Sequence, residues 1–388
     1  MQLCYGFVNN LLSLQNRTIM PEKYDHIIFS VTAHGLGHLT RSLLIIEKFQ
    51  KLYPQNKIVV STGIGRKTVE RFLSTPFLYR QQPYEPGTIQ KNCFEIDQEA
   101  TVRAYRKYFK VRQRSLQNEI DFLKQNRCSG LVSDIPSLPI RAAADLDIPA
   151  VGISNFTWDW ILEPIFEKRC IKVIRNNITQ DYACGQLFLR LPFGQTTSPF
   201  SYSEKAPLVA RKAKLRAAKV REMLGIPRWS TNGLIVVCPG GWDPHGWGVI
   251  KIRGCSSFRF LFVGNLPITC HALHAHLPHS LMKGLTFPDL VNAADVIIAK
   301  PGFGIASECL LHQTPIVFIQ RPLFREAPAL LADFDIAGPS SRITLHHFFA
   351  GQWEDAIVKA LANKTPWKSV PENGAQLIAE RLGEFFKL

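Results

Sequence analysis

Two short stretches hold residue types from which a reaction could be assembled. In AHGLGHLTRS (33–42), His34, Gly35, Gly37 and His38 crowd into one loop after the apolar run HIIFSV. In IAKPGFGIASECLL (298–311), Lys300, Gly302 and Gly304 follow another apolar run, and Glu308 comes about one turn into the next helical pattern. A loop between a strand and a helix start points main-chain N–H groups and the positive end of the helix dipole outward. That arrangement favours a negative group or an electron-rich oxygen. Glycine permits positive φ and removes the Cβ that would block close approach. An imidazole with its ordinary pKa of about 6.5 accepts a proton at neutral pH. A carboxylate placed like Glu308 can take two hydrogen bonds from a ribose diol. Its plainer role is to stabilise the helix start by about 0.3–1 kcal/mol. For Gly35 and Gly37 the plainer role is a tight turn that the chain path alone requires.

Several chemistries are excluded at once. A dinucleotide fingerprint needs a third glycine where Thr40 stands, and an acid after the second strand, where VVSTG has none. GIGRKT fails the spacing of a phosphate-binding P-loop. The nine cysteines include no C-x-x-C pair and no histidines at zinc spacing, so no metal site is expected. An odd number of scattered cysteines, mostly in apolar surroundings, is expected to be reduced, structural and cytoplasmic.

The elements that must hold these loops follow from the pattern of the chain. Its 388 residues suggest two domains, and 46% hydrophobic against 20% charged content supports substantial cores. No apolar run reaches the roughly 18 residues of a membrane span. Short apolar runs alternate with helical faces: HIIFSV is followed by Leu39, Leu43, Ile46, Phe49 and Tyr53, then KIVVST, GLVSD and PAVGIS. A second series runs LIVVCPGG, FRFLFVG, DVIIAKPGFG and PIVFIQRP. Such alternation predicts parallel βαβ units. The expected organisation is an N-terminal extension at 1–22, a Rossmann-like domain at 23–205 and a basic linker at 206–230. A second Rossmann-like domain at 231–370 and a C-terminal helix at 371–388 complete it. The expected fold class is α/β, with two doubly wound parallel sheets facing across a cleft that holds a ligand.

This arrangement resembles the GT-B glycosyltransferases. AHGLGHLTRS resembles the first glycine loop of the bacterial peptidoglycan N-acetylglucosaminyltransferase and its relatives, and ADVIIAKPGFGIASECLLHQTPIVFI resembles their donor-binding unit. SDIPSLPIRAAADLDIPAVGISNFTWDWI, LRLPF and VFIQRPLFREAPALL resemble parts of the N-terminal glycosyltransferase-like domain of plant-type L-arabinokinase. Together these stretches cover most of residues 25–335. Kinase activity is not implied, because the likeness lies in the glycosyltransferase-like part.

The resemblance implies roles residue by residue. His38, or its neighbour His34, would take the acceptor proton, with Asp134 at the end of GLVSD fixing the imidazole tautomer. The plainer alternative makes His38 a helix-end side chain and Asp134 the cap of a helix over 138–147. Gly240 and Gly241 in CPGGWD would lie under the diphosphate, although Trp242 stands where relatives often place a small hydroxyl residue. Gly302 and Gly304 would form the second donor loop with Lys300 as a phosphate partner. Phe287 would lie near the base, Glu308 at the ribose and Glu326 at the sugar hydroxyls. In SNFTWDW, Asn155, Trp158 and Asp159 suit sugar stacking and hydroxyl recognition, or else a buried aromatic cluster.

The function implied is transfer of a hexose or N-acetylhexosamine from a nucleotide sugar, UDP-linked, to a hydroxyl acceptor, with inversion and without a metal or cofactor. Alternatives are a GT-B epimerase or hydrolase, and a non-catalytic sugar-nucleotide-binding module. The net charge of +15 includes basic runs at 103–114 and 205–221. They would suit a lipid-linked acceptor or peripheral contact with an anionic membrane, or simply form solvated surface. No nucleic-acid-reading motif accompanies the charge.

Overall fold

The computed structural model describes residues 26–168, 171–226, 233–240, 249–263, 268–269, 274–277 and 284–388. The extension expected at 1–22 lies outside them. The first half contains β1 (His26–Val31), β2 (Lys57–Thr62), β3 (Leu78–Gln81), β4 (Gln90–Asn92), β5 (Glu95–Ile96), β6 (Cys128–Asp134), β7 (Ala150–Ser154), β8 (Leu187–Arg190) and β9 (Tyr202–Lys205). Its helices are α1 (Leu36–Leu52), α2 (Arg66–Phe72), α3 (Gln98–Gln125), α4 (Leu138–Ala144), α5 (Trp158–Lys168) and α6 (Lys172–Ala183). Seven strands form one sheet in the order β3-β2-β1-β6-β7-β8-β9, while β4 and β5 stand apart as an antiparallel pair. The sheet is parallel throughout.

The second half contains α7 (Ala217–Met223), β10 (Gly233–Cys238), β11 (Ile250–Lys251), β12 (Phe258–Val263), β13 (Ile268–Thr269), β14 (His274–Leu277), α8 (Phe287–Ala293), β15 (Val296–Ala299), α9 (Phe303–His312), β16 (Ile316–Ile319), α10 (Glu326–Asp335), β17 (Ser340–Ile343), α11 (Leu345–Phe349) and α12 (Glu354–Ala362). Its six-stranded sheet runs β14-β12-β10-β15-β16-β17, again with parallel pairing. Both sheets are of the doubly wound type expected from the strand–helix alternation.

Strands with helices on both faces bury both sets of side chains, which is why their sequences read as unbroken apolar runs. Ile27, Ile28, Phe29 and Val31 are all at most 1% exposed, and so are Ile235, Val236 and Val237. Strand order reverses at β1 in one sheet and at β10 in the other. In open α/β sheets, the crevice beyond the carboxyl ends at such reversals receives ligands. The loop 33–38 and residues 239–240 therefore occupy equivalent places in the two lobes.

The basic linker expected at 206–230 is part loop and part α7, which packs against α8. The helix expected at 371–388 is α13 (Gly374–Phe386). It returns to the first lobe, where Ala375, Ile378, Ala379 and Leu382 join the cluster of Leu39, Leu43 and Ile46 from α1. Gly383 is required by that approach, since a Cβ there would lie 1.9 Å from the Tyr53 hydroxyl oxygen. Among the described residues, no helix is long and apolar enough to cross a membrane. On α3, Val102, Tyr105 and Leu116 are buried, whereas Arg103, Arg106, Lys107, Lys110 and Arg114 face outward and Arg112 pairs with Asp181.

Candidate functional site

Pairing of β1 with β6 sets Val31 opposite Asp134, so the Asp134 side chain emerges beside the loop that starts α1. Gly35 is the N-cap of α1 with φ of 126°, a region that side chains other than glycine rarely adopt. No protein atom lies within 4 Å of the Cβ position of Gly37. The opening turn of α1 then turns His38 inward, with Nδ1 2.8 Å from Asp134 Oδ1.

Asp134 is 3% exposed and holds three partners. Arg41 Nε donates to Oδ2 at 2.7 Å and Nη2 to Oδ1 at 2.6 Å, while Ser42 Oγ donates to Oδ2 at 2.9 Å. Burial pushes this carboxyl up, but Arg41 and His38 outweigh it and hold the pKa well below the usual carboxylate range. Nδ1 of His38 lies 2.8 Å from both Asp134 Oδ1 and Arg41 Nη2, so the tautomer decides whether it donates to the carboxylate or accepts from the guanidinium. Asp134 does not cap the helix expected at 138–147. Glu85 serves the start of α4 instead, accepting from Ser137 N at 2.6 Å and Leu138 N at 3.2 Å.

Arg41 was not singled out in the sequence. It stands one helical turn beyond His38, and it also donates to Ser154 Oγ at 3.0 Å and to Asn155 Oδ1. Asn155 in turn donates to the Pro192 carbonyl at 2.6 Å. Asn155 thus orients the arginine and is 3% exposed. The expected sugar-facing roles of its neighbours are corrected. Trp158 is 1% exposed and meets His34 and Phe156 edge-on, so it is a wall behind His34. Asp159 accepts from Thr179 of α6 at 3.0 Å.

The two histidines differ in their surroundings. His34 faces Thr88 Oγ1 at 3.2 Å and Gln90 Nε2 at 3.4 Å. Burial, with His38, Lys300 and Arg321 as nearby cations, lowers its pKa to about 3. For His38, burial also lowers the pKa, but Asp134 opposes it. Arg41 adds to the lowering of His38.

In the second lobe Gly240 has φ of 120°, and a Cβ there would lie 2.6 Å from Lys300 Cε and 2.9 Å from Nζ. That close approach seats the Lys300 ammonium against the loop after β10. Gly241 and Trp242 lie outside the described residues. Burial, followed by Arg321, lowers the Lys300 pKa to about 8. Gly302 is the N-cap of α9. A Cβ on Gly304 would be 3.9 Å from Gly37 Cα, which brings the two glycine loops face to face. Gly37, Thr40, Arg41, Phe303, Gly304 and Ser307 share the lining of one interlobe crevice.

Glu308 is 4% exposed and accepts from Arg211 of the linking segment, at 2.7 Å from both Nε and Nη2. Burial raises its pKa and Arg211 opposes that rise. Phe287 begins α8, half-buried against the core beneath the sheet. Glu326 begins α10; burial raises its pKa while Arg321 and Lys300 oppose. Arg321, also not anticipated, is 5% exposed after β16.

The hairpin β4–β5 was missed as well. It reaches from the first lobe into the second, where Cys93 and Phe94 join the core of Ile250, Phe260, Phe348 and Trp353. Phe94 meets Phe348 and Phe349 with ring centroids 6.0 Å apart in each case. Among the described residues no cluster of His, Cys, Asp or Glu could hold a metal ion. The sequence contains Asp-x-Asp triplets at 145–147 and 333–335. In these, Asp145 pairs with Arg141, and Asp335 pairs with Arg342 and accepts from Ser340.

No protein-family model matches the chain. It is 27% identical over 372 residues to L-arabinokinase of Arabidopsis thaliana, covering 92% of this chain and 34% of that protein. The chain thus spans about a third of the length of this curated relative. Among solved structures it is similar to Arabidopsis thaliana UGT89C1 complexed with quercetin (TM-score 0.59, 13% identity, covering 94% of this chain and 100% of the other). It is also similar to Phytolacca americana UGT2 complexed with UDP-2fluoro-glucose and pterostilbene (TM-score 0.58, 10% identity, 94% and 100% covered). A third likeness is to CalG4, the calicheamicin glycosyltransferase (TM-score 0.56, 12% identity, 94% of each chain). These likenesses establish the GT-B architecture of two Rossmann-like domains.

Proposed function

We propose that this GT-B protein is a glycosyltransferase that moves a hexosyl or N-acetylhexosaminyl group from a UDP-sugar to a hydroxyl acceptor, with inversion and without a metal. The observation that carries the reading is the His38–Asp134 pair, set beside a glycine loop that faces the start of α9 across one crevice. Neighbours solved with UDP or UDP-2fluoro-glucose support the choice of nucleotide.

In this reading His38 Nε2 takes the acceptor hydroxyl proton while Asp134 holds Nδ1–H in place. The acceptor oxygen forms its bond to the anomeric carbon on the face opposite the breaking bond to the phosphate oxygen, which inverts that centre. Lys300, the amides at the start of α9 and the Gly240 backbone receive the charge of the departing diphosphate. Glu308 accepts from the ribose diol, and Glu326 from sugar hydroxyls. The exposed basic face of α3 would suit a lipid-linked acceptor at an anionic membrane, with the protein on the cytoplasmic side.

The test is product formation from UDP-sugars and candidate acceptors. His38→Ala is expected to lower kcat by about 10²–10⁴ while UDP affinity stays within twofold or so. Unchanged turnover in that variant would sink the assignment. Product analysis without an acceptor separates transfer from epimerisation or hydrolysis. A binding module without turnover is the second reading, favoured because the curated relative that matches carries the name of a kinase.

A further inference from the structure

The end of β16 holds an arginine whose surroundings are incomplete. The Arg321 side chain is 5% exposed, and its guanidinium carbon sits 3.2 Å above the centroid of the Phe324 ring. Nη1 reaches the Pro301 carbonyl only at 3.5 Å, and among the described residues Nε and Nη2 are buried with no hydrogen-bond partner. Those two nitrogens form one edge of the planar guanidinium, the fork that receives two oxygens of a carboxylate or phosphate side by side. Burying such donors unpaired is costly, and native proteins rarely do so without a reason. Stacking on Phe324 fixes the plane in advance.

The charges around the fork point the same way. Burial lowers the pKa of both Lys300 and Arg321, Arg321 adds to the effect on Lys300, and Glu326 is the carboxylate that opposes it in both. From the first lobe, Cys93 of the β4–β5 hairpin interacts with both cations, and its thiol is pushed up to about 11 by burial and so stays neutral. His34 on the same side is also held neutral. Two cations thus meet one anion, and among the described residues the bidentate edge of one of them has no partner.

We propose that Arg321, beside Lys300, is a bidentate oxyanion receptor for the nucleotide sugar, taking either a diphosphate oxygen pair or a carboxylate carried on the sugar. This rests on the nucleotide-sugar reading for the ligand's identity, but the fork itself can be tested without it.

The experiment is calorimetric titration of the wild type, Arg321→Gln and Arg321→Lys with inorganic pyrophosphate, UDP, UDP-glucose and UDP-glucuronate. Melting of each unliganded variant serves as the folding check. Loss of a charged bidentate contact is expected to weaken the affected ligand about 10- to 100-fold. Arg321→Lys should lose nearly as much, because it keeps the charge without the fork. Equal weakening of pyrophosphate and all three nucleotides identifies the diphosphate; weakening of UDP-glucuronate alone identifies a sugar carboxylate. If both variants bind all four ligands as the wild type does, or lysine restores full affinity, the proposal is overturned. It is also overturned if the wild type binds none of them. Pyrophosphate binding that depends on Arg321, with no affinity for any UDP compound, would instead leave the fork standing and reject the nucleotide-sugar reading.

Discussion

Arg41 donates to both oxygens of Asp134, whereas His38 reaches only Oδ1 of the same carboxylate. The imidazole therefore shares its orienting acid with a permanent cation 2.8 Å from its own Nδ1. Burial lowers the His38 pKa, Asp134 opposes, and that cation adds to the lowering. Arg41→Gln should raise the His38 pKa. Because the base must be unprotonated to act, the acidic limb of the kcat/KM profile is expected to move to higher pH. A limb that stays in place would show that another group sets it.

Lys300 gives a second pH dependence. Its folded pKa of about 8 lies below the ordinary lysine value because of burial, with Arg321 adding to the effect and Cys93, Cys238 and Glu326 opposing it. Pyrophosphate or UDP affinity should be level below pH 8 and fall as the ammonium is lost above it. Stability has the opposite slope: the unfolded chain binds more protons between about 8 and 10.5, so the Lys300 contribution becomes more favourable as pH rises through that window. The neighbouring thiols titrate near 11 and do not intrude. Titrations of Lys300→Met at pH 7 and 9.5 should agree where those of the wild type differ.

The Arg211–Glu308 pair joins the linking segment to α9. Arg211→Gln leaves a buried carboxylate without its cation and raises its pKa further. The ionised form then costs stability at any pH above its unfolded value, by up to about 3–5 kcal/mol. The melting deficit of the variant should be largest at pH 8 and should close as acid protonates Glu308. A deficit independent of pH would point to lost packing instead.

Phe94 anchors the hairpin in the second lobe. Phe94→Ala should cost about 3–5 kcal/mol if the whole fold depends on it, but less if only the hairpin detaches. Local release predicts rapid tryptic cleavage after exposed Lys91 while the lobes stay intact on a gel. Equal protection of wild type and variant would remove the hairpin as a mobile cover.

The strand–loop–helix units at 26–52 and 296–312 were legible because buried parallel strands leave unbroken apolar runs, and glycines mark where each run ends. His38 and Asp134 could be paired because one opens the helix after β1 and the other ends β6, the neighbouring parallel strand. Arg41 was hidden: in sequence it reads as an ordinary helix cation, and only the adjacency of β1 and β6 gives it a carboxylate. Arg321 escaped for the opposite reason, because Glu326 in the same segment offered the more familiar sugar contact. The β4–β5 hairpin has strands of three and two residues with polar QKN, too short for any alternation to register. For SNFTWDW composition leaves sugar recognition and a buried aromatic cluster both open, and the 1% exposure of Trp158 fits the second, since aromatic rings fill cores readily.

The return of α13 to the first lobe means that the backbone passes between the lobes twice. The two passages lie side by side: Lys212 pairs with Glu372, and Gly374 packs so tightly beneath Leu208 that a Cβ would come within 2.0 Å of its carbonyl oxygen. With the β4–β5 hairpin seated in the second lobe as well, the lobes are held both along this seam and at the hairpin, so any hinge about the seam must first free Phe94. Admission of a ligand would then reduce to one angle, largest at the edge farthest from that seam.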